Sequence, residues 1–212
     1  MDCSPKRNDM RGFAVSDWSE ITLTHRCNQR CFFCYEEGRD IAREPDIEEV
    51  KRLLKKTGEK ADLVVLCGKE VLLRKDILDI VRFATSNGLK VAVFSNGQAL
   101  AKKGFVAELA EAGCASIAVS FHFPDAETFA IGARAKPEGF RRIISGIENI
   151  RDYNLAHPEN PLKISTETDM FILNSGRLKD IRKILIDAFG GSPWNMRVGS
   201  LLPTKIYDIG FG

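Results

Sequence analysis

The sequence lacks any apolar run near the roughly 20 residues that a membrane-spanning helix needs, and residues 1–10 contain no apolar signal-peptide core. It also lacks a charge excess, because 31 basic and 29 acidic residues leave a net charge of +2, which does not indicate nucleic-acid or membrane binding. Low-complexity segments and linkers are absent. These absences predict a cytoplasmic protein whose 212 residues form one core domain, residues 17–212, after an N-terminal tail of residues 1–16.

The six cysteines are unevenly distributed along the chain. Three of the six cysteines, Cys27, Cys31 and Cys34, share one loop with the spacing C-x3-C-x2-C, directly after an apparent strand. In a reducing compartment, clustered cysteines bind metal more often than they form disulfides. Iron–sulfur clusters usually take four thiolates, so three would hold a [4Fe–4S] cube and leave one iron open to a small molecule. Cys67 and Cys114 lie in apolar contexts and are expected to be buried packing residues.

A structural zinc site is the alternative interpretation of the same loop. Zinc normally takes four ligands, and His25 would supply the fourth in the pattern H-x-C-x3-C-x2-C. Such a protein would be a non-catalytic metal-binding or redox module. The loop follows the first strand of an alternating chain, and active sites lie at this end of barrel strands. That position favours the iron–sulfur interpretation.

Strand and helix patterns alternate along the chain, which predicts parallel β/α units. Five amphipathic helices alternate with six strands, three of which are continuous apolar runs typical of strands covered on both faces. A complete (β/α)8 barrel needs about 250 residues, so we expect a partial, open (β/α)6 TIM-like barrel with parallel strands. We also expect a missing C-terminal part, because no sixth helix follows the last strand. The predicted strands are residues 21–24, 63–67, 91–94, 117–121, 163–168 and 195–198.

Four segments together resemble the radical S-adenosylmethionine (radical SAM) superfamily. The cysteine loop matches its signature C-x3-C-x-aromatic-C, with Phe33 at the aromatic position. Gly68-Lys69-Glu70 is similar to the family's Gly-Gly-Glu motif, with Lys69 in place of the second glycine. Residues 95–97 resemble its Thr-Asn-Gly turn, and residues 120–127 resemble its Ser-x-x-x-Pro-Asp-x-Glu run. The resemblance covers residues 17–205 and is strongest for the branch that includes peptide-modifying enzymes and the molybdenum-cofactor synthase MoaA.

The resemblance implies where SAM would lie. The segment around Glu70 would bind the amino group of its methionine, and Ser120 would bond its carboxylate or ribose. On the fifth strand, polar side chains suggest a site-lining face, and His122 is a candidate acid or base on the substrate side. The full set of residues that we expect at the cofactor is Phe33, Tyr35, Gly68, Lys69, Glu70, Ser95, Asn96, Ser120, Thr166, Glu167 and Arg197.

The resemblance also implies an activity and its cofactors. A one-electron donor such as flavodoxin or ferredoxin would reduce the [4Fe–4S] cluster. SAM would then be cleaved to methionine and a 5′-deoxyadenosyl radical, which abstracts hydrogen from an unidentified small-molecule or peptide substrate. The sequence indicates no membrane and no nucleic-acid partner.

Overall fold

Six parallel strands in one sheet form the framework of the protein. The computed structural model describes residues 18–34, 43–190 and 195–200. Within these ranges, neighbouring strands in the sheet are also neighbours in sequence, and every pair is parallel. This order confirms the predicted partial TIM-like barrel. The strands are β1 (Trp18–Thr24), β2 (Leu63–Gly68), β3 (Lys90–Ser95), β4 (Cys114–Ser120), β5 (Lys163–Met170) and β6 (Asn195–Ser200).

Six α-helices lie between the strands in the described part of the chain, one more than the sequence count of five. The additional helix is α4, which begins after Asp125, whose carboxylate accepts a hydrogen bond from the Thr128 N–H. The sequence indicates a helix start at Glu127. The helix was nevertheless absent from the count, because seven residues are too few to show an apolar period. The helices are α1 (Ile47–Gly58), α2 (Ile77–Ser86), α3 (Phe105–Glu111), α4 (Ala126–Gly132), α5 (Glu138–Ala156) and α6 (Leu178–Phe189).

The sheet has two chemically different faces, because successive side chains of a strand point to opposite sides. Val64 and Leu66 of β2 belong to the main core, which the helices cover. Leu63 and Val65 belong to a separate small cluster on the opposite side. We call the first side the helix-covered face and the second the inner face, since the second lines the concave side of the partial barrel. A ligand held within the barrel would meet residues of the inner face.

Two cysteines outside the loop pack as predicted. Cys67 and Cys114 are both buried, and burial raises the pKa of the Cys114 thiol to about 12. Within the described ranges, no helix is long and apolar enough to cross a membrane. The predicted boundary at residues 16 and 17 lies outside these ranges and stays a prediction.

Candidate cofactor site

The carboxyl ends of β1 and β2 are joined directly, and this contact requires a glycine. Lys69 donates its backbone N–H to the Thr24 carbonyl over 3.0 Å, and Glu70 donates to the Arg26 carbonyl over 3.0 Å. Gly68 has φ +131°, and a Cβ there would lie 2.5 Å from the Thr24 oxygen. A side chain at this position would therefore separate the two strand ends. The glycine brings the segment after β2 against the start of the cysteine loop.

Glu70 is fully buried and joins β2 to the turn after β3. Its carboxylate accepts hydrogen bonds from the Leu72 N–H at 3.0 Å, the Ser95 hydroxyl at 2.9 Å and the Asn96 N–H at 2.6 Å. Burial raises the pKa of Glu70 to about 7, although the three donors act in the opposite direction. The side chain that the sequence assigns to the SAM ammonium group is thus engaged in shaping the next turn.

Asn96 connects that turn to the cysteine loop. Its side-chain Nδ2 donates to Asn28 Oδ1 over 2.7 Å and to Cys27 Sγ over 3.7 Å, while its Oδ1 accepts from the Gln98 N–H at 3.1 Å. The next residue, Gly97, has φ +80° and completes the turn. Three motifs that are separate in the sequence are therefore joined by one hydrogen-bonded path that ends at a cysteine sulfur.

The three cysteines of the loop form no disulfide, and each is half-buried. Cys27 Sγ also accepts from the Gln29 N–H at 3.3 Å, and the Cys31 thiol donates to Gln29 Oε1 over 3.2 Å. Burial raises the pKa of Cys27, and the bond from Gln29 opposes that increase. Cys34 contributes its backbone N–H to the Cys31 carbonyl over 3.1 Å. In the described parts of the chain, no three His, Cys, Asp or Glu side chains are grouped around a point for one metal ion.

The donor chemistry of this loop nevertheless fits a [4Fe–4S] cluster. Thiolate ligands carry negative charge, and the N–H groups of Gln29 and Asn96 already point at the sulfur of Cys27. On β5, the hydroxyls of Ser165 and Thr166 are both buried without a hydrogen-bond partner in the described residues, and Ser165 is the one that lies on the inner face, where a ligand could meet it. The residues present therefore fit both cofactors that the cysteine motif implies.

The second half of the cysteine loop is held by aromatic packing. Phe33 is buried, stacks on Phe171 at 4.4 Å between ring centroids, and meets the ring of His122 edge-on at 5.0 Å. Two backbone bonds add to this, from Arg30 N–H to Ala133 O at 2.8 Å and from Phe32 N–H to Gly132 O at 3.1 Å. The aromatic position of the motif thus anchors the loop to α4 and to the end of β5. A contact of Phe33 with SAM stays a prediction.

His122 is held by the segment after β5. Its Nδ1 accepts the Asp169 backbone N–H over 3.0 Å, and its carbonyl accepts from Asn174 Nδ2 over 2.9 Å. Burial lowers the pKa of His122 to about 4, and the nearby Asp169 carboxylate only partly offsets this. The imidazole is therefore neutral near pH 7, with Nδ1 occupied. The substrate-side role of His122 stays a prediction, and its acid–base capacity would have to come from Nε2.

The register of β4 and β5 separates the predicted contacts on these strands. Thr166 pairs with Val119, which belongs to the core under the helices, so that Thr166 lies on the helix-covered face. Glu167 pairs with Ser120 on the inner face, where both are partly exposed, and Ser165 shares that face. Ser120 and Glu167 are thus placed to meet a ligand inside the barrel, whereas the position of Thr166 does not favour the contact predicted for it.

For two of the predicted cofactor contacts, the structure does not describe the side chain. Tyr35 lies outside the described residues. The backbone of Arg197 pairs with Glu167 between β5 and β6, and its side chain is not described. Both assignments stay predictions.

Two charged residues that are not among the predicted site residues support the site from outside. Arg74 is buried, donates to the carbonyls of Leu23 at 2.8 Å and Pro45 at 2.9 Å, and forms a two-pronged ion pair with Asp76. It ties the end of β1 to the start of α1. The Arg–x–Asp spacing before α2 is a visible signal for the pair, but the carbonyl partners are not readable from sequence.

Glu44 is the second of these residues. It accepts hydrogen bonds from the Thr24 hydroxyl, the His25 N–H at 3.3 Å and Arg26 Nε at 3.0 Å. Partial burial would raise the pKa of Glu44, but the bonds from Thr24 and Arg26 outweigh it and lower the pKa to about 2. The backbone just before Cys27 is therefore braced by a carboxylate from the far side of the loop, and no sequence motif marks this residue.

An open, partial parallel barrel with three cysteines on the loop after β1 defines the class of protein: an α/β scaffold with a cofactor site at the carboxyl ends of its strands. The sequence model of the radical SAM superfamily matches residues 21–188, and the chain belongs to that superfamily. The superfamily uses a [4Fe–4S] cluster and SAM, and these are the cofactors that membership implies for Cys27, Cys31 and Cys34.

Two curated relatives with assigned names are similar to this chain in sequence. The chain is 31% identical over 197 residues to a "Probable GTP 3′,8-cyclase" of Saccharolobus islandicus (strain M.14.25 / Kamchatka #1), a match that covers 91% of this chain and 58% of the relative. A protein of the same name from Thermococcus kodakarensis is 31% identical over 164 residues, covering 76% of this chain and 50% of the relative. The chain thus spans between half and three-fifths of the length of these curated relatives.

Solved structures share the fold at low sequence identity. Streptococcus suis SuiB bound to S-adenosylmethionine superposes with a TM-score of 0.66 and 16% identity, over 88% of this chain and 41% of that one. The enzyme anSMEcpe with bound AdoMet and a peptide superposes with a TM-score of 0.65 and 12% identity, over 88% and 52% of the two chains. At these identities the likeness shows the fold.

Proposed function

We propose that this chain is the catalytic core of a radical SAM enzyme, with a [4Fe–4S] cluster on Cys27, Cys31 and Cys34. The observation that carries the proposal is the hydrogen-bonded path from Glu70 through Asn96 to Cys27 Sγ. A structural metal loop has no need of such a path to the ends of β2 and β3. It places the polar groups of three strand ends beside the cysteines, where SAM would lie.

The bound cofactors supply the hard chemistry, which is one-electron cleavage of SAM to methionine and a hydrogen-abstracting 5′-deoxyadenosyl radical. The chain supplies position and surroundings. N–H groups of Gln29 and Asn96 stabilise negative charge on Cys27 Sγ. Ser120 and Ser165 offer polar contacts to the sugar or carboxylate of SAM, and Glu167, on the inner face, offers an acceptor to its ribose hydroxyls.

The structure changes how we assign Glu70. Its carboxylate is already bonded to Ser95 and Asn96, so we propose that it acts on SAM through the shape of that turn. The backbone of the segment from Gly68 to Glu70, together with the Asn96 side chain, would make the direct contacts. Lys69, half-buried beside them, occupies the position of the family's second glycine.

The first experiment tests the ligand set. After anaerobic reconstitution, the single variants Cys27→Ala, Cys31→Ala and Cys34→Ala should each bind much less iron and sulfide than the parent protein. Cys114→Ala is the matched control, because Cys114 is buried at the start of β4, away from the loop. A full cluster in any one of the loop variants would contradict the ligand set. One tetrahedral zinc in place of four irons, lost on His25→Ala, would support the non-catalytic module instead.

The second experiment tests the reaction. Reconstituted protein reduced with dithionite should form 5′-deoxyadenosine from SAM, slowly and without a further substrate, as measured by chromatography. Protein with a full cluster and bound SAM that forms no nucleoside would contradict the catalytic proposal. His122→Ala should leave this uncoupled cleavage largely intact, because we place His122 on the substrate side. Loss of SAM cleavage in that variant would contradict this placement and indicate that His122 acts in the SAM site.

For the substrate, we propose a guanine nucleotide. The support is the name shared by relatives at 31% identity, which cover 91% of this chain. GTP should accelerate 5′-deoxyadenosine formation, whereas ATP at the same concentration should not. Equal rates with and without GTP would reject this substrate and leave the cleavage proposal standing. We further propose a cytoplasmic location, which the clustered cysteines support, because such clusters bind metal where thiols are kept reduced.

A further inference from the structure

A wide cleft opens beside the cysteine loop. It has a volume of about 810 Å³ and lies between the loop, the turn after β3 and the connection from α4 to α5. Asn28 contributes from the cysteine loop, and Gln98 contributes from the turn. The Gln98 side-chain Nε2 is buried there without a hydrogen-bond partner in the described residues. The cleft thus borders the segment that would hold the cluster.

The charge of this cleft is strongly one-sided. Arg134, Lys136 and Arg142 line it and are exposed, against a single carboxylate, Glu138. Arg30 of the cysteine loop is also exposed, and its backbone bond to Ala133 places it next to Arg134 in the fold. None of the four cations forms an ion pair with another described residue, whereas Lys51 on α1 and Arg82 on α2 each pair with a carboxylate of their own helix. We call Arg30, Arg134, Lys136 and Arg142 the basic patch.

The contrast with the rest of the chain makes the patch informative. The net charge of the protein is only +2, so a cleft lined by three cations and one carboxylate is more basic than the chain as a whole. Fields of this kind steer an oppositely charged partner to its site and raise the association rate.

We propose that the basic patch is the docking surface for an acidic one-electron carrier protein of the flavodoxin type. The inference rests on the proposed function, because the electron must reach the cluster held by the cysteine loop. One electron leaves the reduced carrier, which is oxidised, and enters the cluster, which is reduced, with no covalent bond made or broken. The loop borders the cleft through Asn28, so a docked carrier would lie directly against the segment that holds the cluster.

Binding is the first test, and it does not depend on catalysis. Titration calorimetry at low ionic strength would measure the Kd of a purified acidic flavodoxin for reconstituted protein and for the double variant Arg134→Glu/Lys136→Glu. Two reversed charges at an electrostatically steered interface should weaken binding roughly tenfold or more. Raising the salt concentration should erase most of the difference. Arg182→Glu on α6 is the matched control, an exposed cation on a helix that does not line the cleft.

Two binding results would overturn the proposal. One is an unchanged Kd in the double variant, and the other is an equal loss of affinity in Arg182→Glu. Inorganic pyrophosphate serves as a second probe: if it binds tightly and its binding is lost in the double variant while flavodoxin binding is not, the cleft is a small-anion site.

Cluster reduction is the second test, followed by absorbance in a stopped-flow instrument. Reduced flavodoxin should reduce the cluster of the double variant roughly tenfold more slowly than that of the parent, while dithionite, which needs no docking, should reduce both equally. Equal rates with flavodoxin would contradict the docking surface. A cluster that dithionite cannot reduce in the parent protein would instead contradict the proposed function, so the two failures are distinguishable.

Discussion

The two ends of the cysteine loop are held by different physical means. At the first end, Cys27 is fixed by hydrogen bonds from Asn96 and Gln29. At the second end, Phe33 is buried among aromatic rings and stacks on Phe171. The first end is polar and close to the groups expected at SAM, while the second is apolar and faces α4 and the end of β5.

The aromatic end of the loop therefore contributes mainly to folding stability, and the polar end contributes mainly to the position of the cofactor ligands. A net hydrogen bond contributes about 1 kcal/mol, whereas truncation of a buried phenylalanine costs about 3–5 kcal/mol. Packing therefore keeps the loop closed, and hydrogen bonds orient a sulfur and the polar strand ends toward the ligand. The comparison predicts that variants at the two ends affect stability and cofactor binding in different proportions.

The largest expected effect is at the aromatic end. Phe33→Ala should lower the free energy of unfolding by about 3–4 kcal/mol, because it removes a stacked, buried ring and leaves a cavity. Urea unfolding followed by circular dichroism would measure it. Phe33→Leu is the control and should recover most of the loss. A drop below about 1 kcal/mol in Phe33→Ala would show that packing does not hold this end.

The next effect is at Glu70, behind the polar end. Glu70→Ala removes the acceptor of three hydrogen bonds in a buried place, and we expect a loss of about 2–3 kcal/mol. Glu70→Gln keeps one acceptor oxygen and should lose less. Affinity for SAM, measured by calorimetry on reconstituted protein, should fall in both variants because the turn at Asn96 shifts. Unchanged SAM affinity in Glu70→Ala would contradict the role of the turn.

A pH experiment sharpens the comparison at the aromatic end. Burial lowers the pKa of His122 from 6.5 to about 4, so the unfolded chain binds the proton more readily. Its contribution to stability is present above pH 6.5 and is lost as the pH falls through 4. The full shift corresponds to about 3 kcal/mol, and partial exposure reduces our expectation to about 1–2 kcal/mol.

His122→Gln tests this effect, because glutamine can still accept the Asp169 N–H without titrating. The difference in unfolding free energy between parent and variant, measured by urea unfolding from pH 7 to pH 4, should change by that amount. A difference that is constant across the range would show that His122 titrates normally in the folded protein.

Among the alanine variants, the smallest effect on stability is expected at Asn96. Asn96→Ala removes the side-chain bonds to Asn28 and Cys27 and the acceptor of the Gln98 N–H, and it should cost about 1–2 kcal/mol. Its effect on cofactors should be larger than its effect on folding, with less iron retained during anaerobic gel filtration than in the parent. Iron retention equal to the parent would place the orienting role elsewhere in the loop.

Much of the fold was accessible from local patterns. Apolar runs such as residues 63–67 and 91–94 predict buried parallel strands, and β2 and β3 lie there in the structure. The spacing of Cys27, Cys31 and Cys34 predicts a shared loop without reference to distant residues. The short helix α4 was missed from the count because seven residues carry too little periodicity.

The sequence by itself determined the class of the protein, since cysteine spacing, apolar runs and the motifs after successive strands are all local properties. Only the tertiary structure decided which face of β5 carries Thr166 and which carries Glu167, because the register against β4 sets it and a shift of one residue would exchange them. It also decided that the Glu70 carboxylate accepts the Asn96 N–H, and that the Glu44 carboxylate bonds to the residues just before Cys27. These contacts join side chains that are distant in sequence, and only the folded sheet brings them within hydrogen-bond distance.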